Sequence, residues 1–556
     1  MAENINLNSN TLIQKIIKNK MLNEKPMKTI AGAAFVVSLA GILSRILGLF
    51  RDRILASNFG AGDVLDTYYA AFRIPDLIYN FLIVGALSAA FIPVFTGLVT
   101  KKKEDKSWEL ASGLITLQVM AIVLVSLIFF LFAPYLMRLI TPGFSPEKIA
   151  DTADMTRIMF LSPLFLGVSA VFGGILVSYK RFLIYSMAPI FYNIGIIIGA
   201  VFFVKFLGIS GLAWGVVLGA FMHFLVQYGA VKFAGFSYQL RKIKEIITDP
   251  NIRKVIRLMI PRSMAMGVSQ INLLVATFFA SLLASGSLAV FNFANNLQSV
   301  PLGIFGISFS VAAFPQLSSL AAEENMDKFN YVFSRTFKRI LFFVIPASVI
   351  IFSLRAEIVR AVLGSGKFDW DDTRATLWVL GFLSLSLFAQ STIPLLTRCF
   401  YAMENTKTPF HAALAGESVN IIGVILLIEK FQVVGLAIAF SLASIFNMIL
   451  LFVLLDKKFV NIKKRKMFNP ILKIIIASVF MALAIYLTRH ALANFIQLKT
   501  LGEVILQLVI AGGMGVSAFL IACHYLQVDE FCDFKKSTLK HFFKKGEDLE
   551  CLNQRF

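Results

Sequence analysis

Charge is what this chain has least of: Asp, Glu, Lys and Arg make up 15% of its 556 residues, against about 25% in an ordinary soluble domain. Hydrophobic residues make up 58%. Together these exclude a water-soluble globule and leave an integral membrane protein. Cysteine is scarce too. Cys399, Cys523, Cys532 and Cys551 show no CxxC or paired spacing, which points to reduced, non-catalytic thiols. The five histidines lack metal-ligand spacing, so no metal site is expected. HExxH, GxSxG and Walker motifs are absent, and no cytosolic stretch is long enough to hydrolyse a nucleotide. The chain is therefore expected not to be an enzyme and to need no organic cofactor. Its energy would come from a coupling cation (Na+ or H+), the membrane potential or the substrate's own gradient.

What is abundant is positive charge, a formal +21 at pH 7. The Lys and Arg fall in short clusters between apolar runs, and no basic stripe is interleaved with stacking aromatics, so nucleic acid is not an expected partner. A polar tail, 1–28, precedes the first apolar run. It is too long for a cleavable signal, so that run reads as a retained span.

Apolar windows matched to bilayer thickness give an all-α polytopic protein of about fourteen transmembrane helices. They run over 29–50, 75–99, 109–137, 155–178, 184–206 and 209–231, then 254–284, 287–319, 336–363, 374–400, 409–429, 433–455, 469–489 and 502–525. Loop charge sets the orientation. Lys101-Lys102-Lys103, Lys180-Arg181, Arg241-Lys242-Ile243-Lys244, Lys338-Arg339 and Lys463-Lys464-Arg465-Lys466 share one side, which the positive-inside rule assigns to the cytoplasm along with both termini.

The chain also echoes itself. Lys180 to Asn193 has the spacing of Lys407 to Asn420, and Gly211-Leu212-Ala213 returns as Gly435-Leu436-Ala437. Ser88-Ala89-Ala90-Phe91-Ile92-Pro93 matches Ser310-Val311-Ala312-Ala313-Phe314-Pro315, and Leu43-Ser44-Arg45-Ile46 matches Val268-Ser269-Gln270-Ile271. A shared offset of roughly 222–227 residues marks an internal repeat. Six spans per copy keeps both copies in the same sense, so two pseudo-twofold-related six-helix lobes with a site between them are expected. The expected organisation is a tail (1–28), an N-lobe (29–231), a cytoplasmic linker (232–253), a C-lobe (254–455), two extra helices (456–525) and a basic cytoplasmic tail (526–556).

Ionisable groups inside spans are functional by default, because a guanidinium at the bilayer centre costs at least ~2.5–3.5 kcal/mol. Ser44, Arg45, Arg51 and Asp52 close the first apolar run, with Arg45 and Asp52 on one face, Ser44 and Arg51 on another. Arg45 and Arg51 stand about 120° apart at 3.6 residues per turn, so lining one cavity needs a wide chamber or a bend, and Gly48 lies between them. Arg53 reads as a snorkelling interfacial residue. Asp66, Arg73 and Asp76 follow, and the acids either pair with Arg to hold their forks or gate directly. Arg262, after Pro261, either snorkels or lines a cavity. Asn295 and Asn296, with Asn292, form a polar cluster that seats a ligand or serves as helix–helix glue. Glu417 with Asn420 is the candidate for a coupling cation or proton.

Ser44-Arg45-Ile46-Leu47-Gly48-Leu49-Phe50-Arg51-Asp52, then Phe59-Gly60-Ala61-Gly62 with Asp66, resembles the opening signature of the MurJ (MviN) family. So do Gly85-Ala86-Leu87-Ser88-Ala89-Ala90-Phe91-Ile92-Pro93, Ala284-Ser285-Gly286-Ser287, Gly366-Lys367-Phe368-Asp369 and Thr406-Lys407-Thr408-Pro409. The resemblance spans nearly all of 29–525. It implies a member of the multidrug/oligosaccharidyl-lipid/polysaccharide (MOP) exporter superfamily in the bacterial inner membrane. Such a protein flips lipid II, a polyprenyl-diphosphate-linked glycan, for cell-wall synthesis, among membrane lipids and alongside cell-wall or division proteins. It also implies that Arg45, Arg51 and Asp66 occupy functionally important positions, and that the last two helices form a groove for the lipid tail. This chain departs from the family where it carries Tyr79, Asn80 and Val84 in place of two Arg and a Glu, and Asn295-Asn296 in place of Asp-Arg. The alternatives are a transporter of another polyprenyl-diphosphate-linked glycan, a drug exporter, or a non-transporting scaffold for cell-wall enzymes. The Arg-bearing first span argues against a drug exporter, whose cavity would be lined by acids.

Overall fold

The computed structural model describes residues 30–84, 90–459, 464–495, 498, 500–532 and 535, with the side chains at 30–35, 84, 260–269, 458–459 and 464–466 outside that description. The expected tails, 1–28 and most of 526–556, therefore lie outside it as well. Every regular element among the described residues is helical. Nine of these helices are long and apolar enough to cross a bilayer, or ten if the Trp370–Leu385 and Leu387–Ala402 pair, bent by 45°, counts as one. Ile30–Phe59, which carries Arg45, Arg51 and Arg53, has 30 residues but is not in that apolar set. It runs without a break through Gly48. The spans expected at 409–429 and 433–455 form one stretch, Lys407–Phe459, interrupted at Gln432, whose φ of 51° and ψ of −135° are non-helical.

The chain divides into two compact units, Met1–Ser285 and Gly286–Phe556, and the Pro250–Ser281 helix falls in the first. Each unit carries the same set of turns. Positive φ occurs at Gly60, Lys102, Lys180 and Gly208 in the first, and at Gly286, Glu324, Glu404 and Gln432 in the second. Partners stand 222 to 226 residues apart. The hydrogen bonds repeat as well. Lys103 N donates to Leu98 O and Lys102 N to Val99 O, while Asn325 N donates to Leu320 O and Glu324 N to Ala321 O. This is the paired closure that ends a helix on a left-handed residue. Here a lysine or glutamate takes that strained position at about 1–2 kcal/mol. Single π turns also recur at corresponding places, Asn80–Val84 and Leu302–Ile307.

Packing inside each unit is tight where small residues allow it. Phe182–Ile198 meets Ser210–Phe233 through glycines: a Cβ on Gly195 would fall onto the Gly219 backbone, and one on Gly199 onto that of Gly215. Lipid supplies no hydrophobic drive between helices, so such backbone approach is what holds them. The first unit's core centres on Phe91, Phe95, Trp108 and Phe172, and the second's on Phe329, Phe333, Leu317 and Phe400. A further cluster seats the last two helices, Lys464–Ala493 and Leu501–Tyr525, through Ile474, Met481, Ile485 and Phe519 on Phe342 and Leu354.

The glycine contact gives a direct test. Gly195→Val forces a side chain into backbone and should destabilise by about 1–3 kcal/mol. Gly41→Ala, with nothing within 4 Å of the new methyl, should be silent. Thermal melting of the purified protein in detergent checks both.

Candidate functional site

Three polar constellations occupy the first unit. The first is built on Arg51. Its Nε and Nη2 donate to Asp52 Oδ1 at 3.0 and 2.8 Å, and its Nη1 donates to Asn193 Oδ1 at 3.1 Å. Asn193 is itself fixed, since its Nδ2 donates to Pro189 O at 3.0 Å. Asp52 is 2% exposed and the Arg51 side chain 21%. A carboxylate this deep persists because it is paired. A guanidinium has five donors in a planar fork. Three are used here, leaving one hydrogen on each terminal nitrogen with no partner among the described residues. Arg51 is thus a partly accessible cation, held rigid from one side and open on another. That arrangement suits a phosphate oxygen pair.

The second constellation surrounds Lys148, near the start of Pro146–Met159. Its ammonium donates to Asp63 Oδ1 at 2.6 Å and Asp66 Oδ2 at 3.1 Å, and stands 3.9 Å from the Phe144 ring centroid. Ser285 Oγ donates to the same Asp63 oxygen at 2.8 Å. Lys148, Asp63, Phe144 and Ser285 border a cavity of about 420 Å³, also lined by Thr67, Gly143, Asp151 and Ser281. Hydrogen bonding from Lys148 lowers the Asp63 carboxyl below its ordinary value, opposed by partial burial. The third is Arg73, 7% exposed, whose Nε donates to Thr277 Oγ1 at 2.6 Å.

The structure sorts the residues picked from sequence. Ser44 and Arg45 are half-buried on Ile30–Phe59. Asp52 and Asn193, on residues far apart in the chain, orient Arg51; Asp66, one of the acids expected to steady an arginine, pairs with Lys148. Asp76 is half-buried one turn beyond Arg73. The Arg262 side chain lies outside the described residues. In the second unit Asn295 Oδ1 accepts from Gln298 Nε2 at 3.0 Å, and Gln298 exchanges bonds of 3.3 and 3.4 Å with Gln390. Asn296 is half-buried beside them. Asn420 Nδ2 donates to Glu417 Oε1 at 3.1 Å, and its Oδ1 has no hydrogen-bond partner among the described residues. Among the described residues no group of three or more His, Cys, Asp or Glu could hold a metal ion.

Lys148 and Asn193 were not picked from sequence as site residues. Asn193 carried a signal, its place in the repeat opposite Asn420. Lys148 carried none, because it reaches acids 82 and 85 residues away.

Comparison with known proteins adds to this geometry. The lipid II flippase MurJ family profile matches residues 55–504. A probable lipid II flippase MurJ of Buchnera aphidicola subsp. Acyrthosiphon pisum is 30% identical over 468 residues, covering 82% of this chain and 90% of that protein. The lipid II flippase MurJ of Burkholderia cenocepacia is 26% identical over 448 residues, 79% of this chain and 84% of its own. A solved lipid II flippase MurJ in an inward closed conformation superposes with a TM-score of 0.72 at 28% identity, covering 89% of this chain and 99% of that one. An inward-facing multidrug transporter of the MATE family, 14% identical with a TM-score of 0.64 over 76% of this chain and 96% of its own, shares the fold.

The Asp63 pairing predicts a pH dependence. Its folded value lies below the unfolded one of about 3.9, so its stabilisation is complete above about pH 4 and is lost as pH falls through the lowered value. Melting temperature should therefore fall more steeply on acidification below about pH 4 in the wild type than in Asp63→Asn.

Proposed function

The chain belongs to the lipid II flippase MurJ family, and from that premise we propose that it moves lipid II from the inner to the outer leaflet of the bacterial cytoplasmic membrane by alternating access, for peptidoglycan synthesis. It is a multi-pass membrane protein, and the distribution of loop lysines and arginines supports cytoplasmic termini. The observation that carries the reading is Arg51: a guanidinium steadied by Asp52 and Asn193, with a donor still open on each terminal nitrogen. A diphosphate is the part of lipid II that such a fork grips. Arg45, six residues earlier on the same helix, supplies a second positive charge. Asp66, Asp76 and Arg73 belong to the adjoining segment of the first unit, with Ser44 adding a hydroxyl and Arg262 a further cation of that unit; Asn295 and Asn296 are the second unit's own candidate substrate contacts.

Transport rather than catalysis is the work assigned. Glu417 with Asn420 is the place at which a coupling proton or Na+ would act, the membrane potential being the other source of drive. A transporter of a different polyprenyl-diphosphate-linked glycan would use the same grip, because the diphosphate is common to both. Tyr79, Asn80, Asn295 and Asn296, neutral where the family is usually charged, favour testing that reading beside the first.

The experiment is complementation of a bacterium depleted of its own MurJ, with lipid II quantified in each leaflet. Wild type should restore growth and outer-leaflet lipid II. Arg51→Ala should abolish both. Arg51→Lys, which keeps the charge but loses the planar fork, should flip at least about tenfold more slowly. Asn193→Leu should lie between them, since it frees the guanidinium to rotate while leaving Asp52 in place. Wild type that reaches the membrane but restores neither growth nor outer-leaflet lipid II would remove the transport reading and leave the scaffold.

A further inference from the structure

Within the second unit, the place where Met326–Ser353 gives way to Arg355–Val362 gathers arginines. Arg355 Nη1 donates to Phe352 O at 2.6 Å, and Arg489 Nη1 donates to the next carbonyl, Ser353 O, at 2.9 Å. Two guanidiniums therefore crowd one helix C-terminus. Glu357, 2% exposed, lies 2.8 Å from Arg489 Nε. Arg355 has no ion pair among the described residues, and its Nε–H is buried without a hydrogen-bond partner. Nearby on the same short helix, Arg360 donates from Nη2 to Leu498 O at 2.6 Å and likewise has no ion pair among the described residues.

Capping the helix accounts for one hydrogen on Arg355 and one on Arg489. It does not account for the remainder of the Arg355 setting. The Arg355 stem crosses Gly381, where a Cβ would stand 3.1 Å from its Cδ. Its guanidinium carbon lies 4.9 Å from the Phe352 ring centroid and 5.0 Å from that of Trp378. Stacked on ring faces, a guanidinium keeps its in-plane donors for an anion. Trp370, 5.7 Å from the Arg360 guanidinium, is 57% exposed and Trp378 is 46% exposed. Tryptophans at the ends of spans sit at headgroup depth, where their rings face acyl chains and their edges face water. The anion present at that depth is a lipid phosphodiester.

We propose that Arg355, with Arg489 and Arg360, binds the phosphodiester headgroup of an anionic phospholipid. The lipid would sit where the Lys464–Ala493 helix, through Arg489, meets the Arg355–Val362 helix. The exposed Trp370, Trp378 and Phe352 around the arginines favour a lipid over a soluble anion, because a soluble ion has no use for an apolar surround. The site stands on the second unit's own residues and does not depend on what the first unit carries across.

Native mass spectrometry of the full-length protein in detergent, titrated with phosphatidylglycerol, tests this. Arg355→Gln should weaken binding about fivefold, the scale of one basic side chain against an anionic headgroup. Lys367→Gln, an exposed lysine outside the cluster, should leave it unchanged. Glu357→Gln should tighten it, because it releases Arg489 from its carboxylate. Equal affinity in wild type and Arg355→Gln overturns the proposal, as does a matching loss in Lys367→Gln. Inorganic phosphate displacing phosphatidylglycerol at equal concentration overturns the lipid assignment. If Arg355→Gln does not fold, the isosteric Glu357→Gln decides alone, and unchanged or weaker binding overturns the proposal.

Discussion

A guanidinium held between a carboxylate and an amide is the constraint around which the first unit is arranged. Arg51 has a carboxylate beside it, Asp52, and an amide across from it, Asn193. Neither partner is dispensable to the geometry: Asp52 offsets the charge at close range, while Asn193 fixes the plane. Removing one member of a buried ion pair costs about 3–5 kcal/mol because the survivor is stranded. The helix bearing Asn193 must therefore stay close to Ile30–Phe59, and the glycines of Phe182–Ile198 and Ser210–Phe233 help to hold it in place. Small residues remote from the charge thus determine how the charge is presented.

The duplicated architecture uses one plan for different chemistry. Asn193 and Asn420 correspond in the repeat, yet the first accepts from an arginine and the second donates to a glutamate. An amide serves both roles because it carries donor and acceptor on one side chain. The left-handed turns at Lys102 and Glu324, and at Lys180 and Glu404, likewise tolerate lysine in one copy and glutamate in the other. Turn geometry is retained while loop charge diverges.

The last two helices are fastened to the second unit near both ends of the pair. Arg489 reaches Glu357 at one, and Lys338 reaches Glu530 at 3.2 Å at the other, with apolar packing on Phe342 and Leu354 between. In lipid, apolar contact alone gives little orientation, so ion pairs on buried glutamates at the ends supply the register.

Much of this was legible before any coordinates. The scarcity of charge required a membrane protein, apolar run lengths required helices, and the offset echoes announced a duplication that the repeated turns bear out. The break at Gln432 fell between the two spans assigned there. Arg51 and Asp52 were identified because an ionised group in an apolar run is costly wherever the chain goes. What orients Arg51, and what holds Asp66, came only from tertiary structure. Asn193 and Lys148 act on residues 142 and 82 positions away, and no local periodicity encodes a distance of that kind. Composition and pattern determine which groups must be compensated, because that energy is local; the fold alone decides by whom.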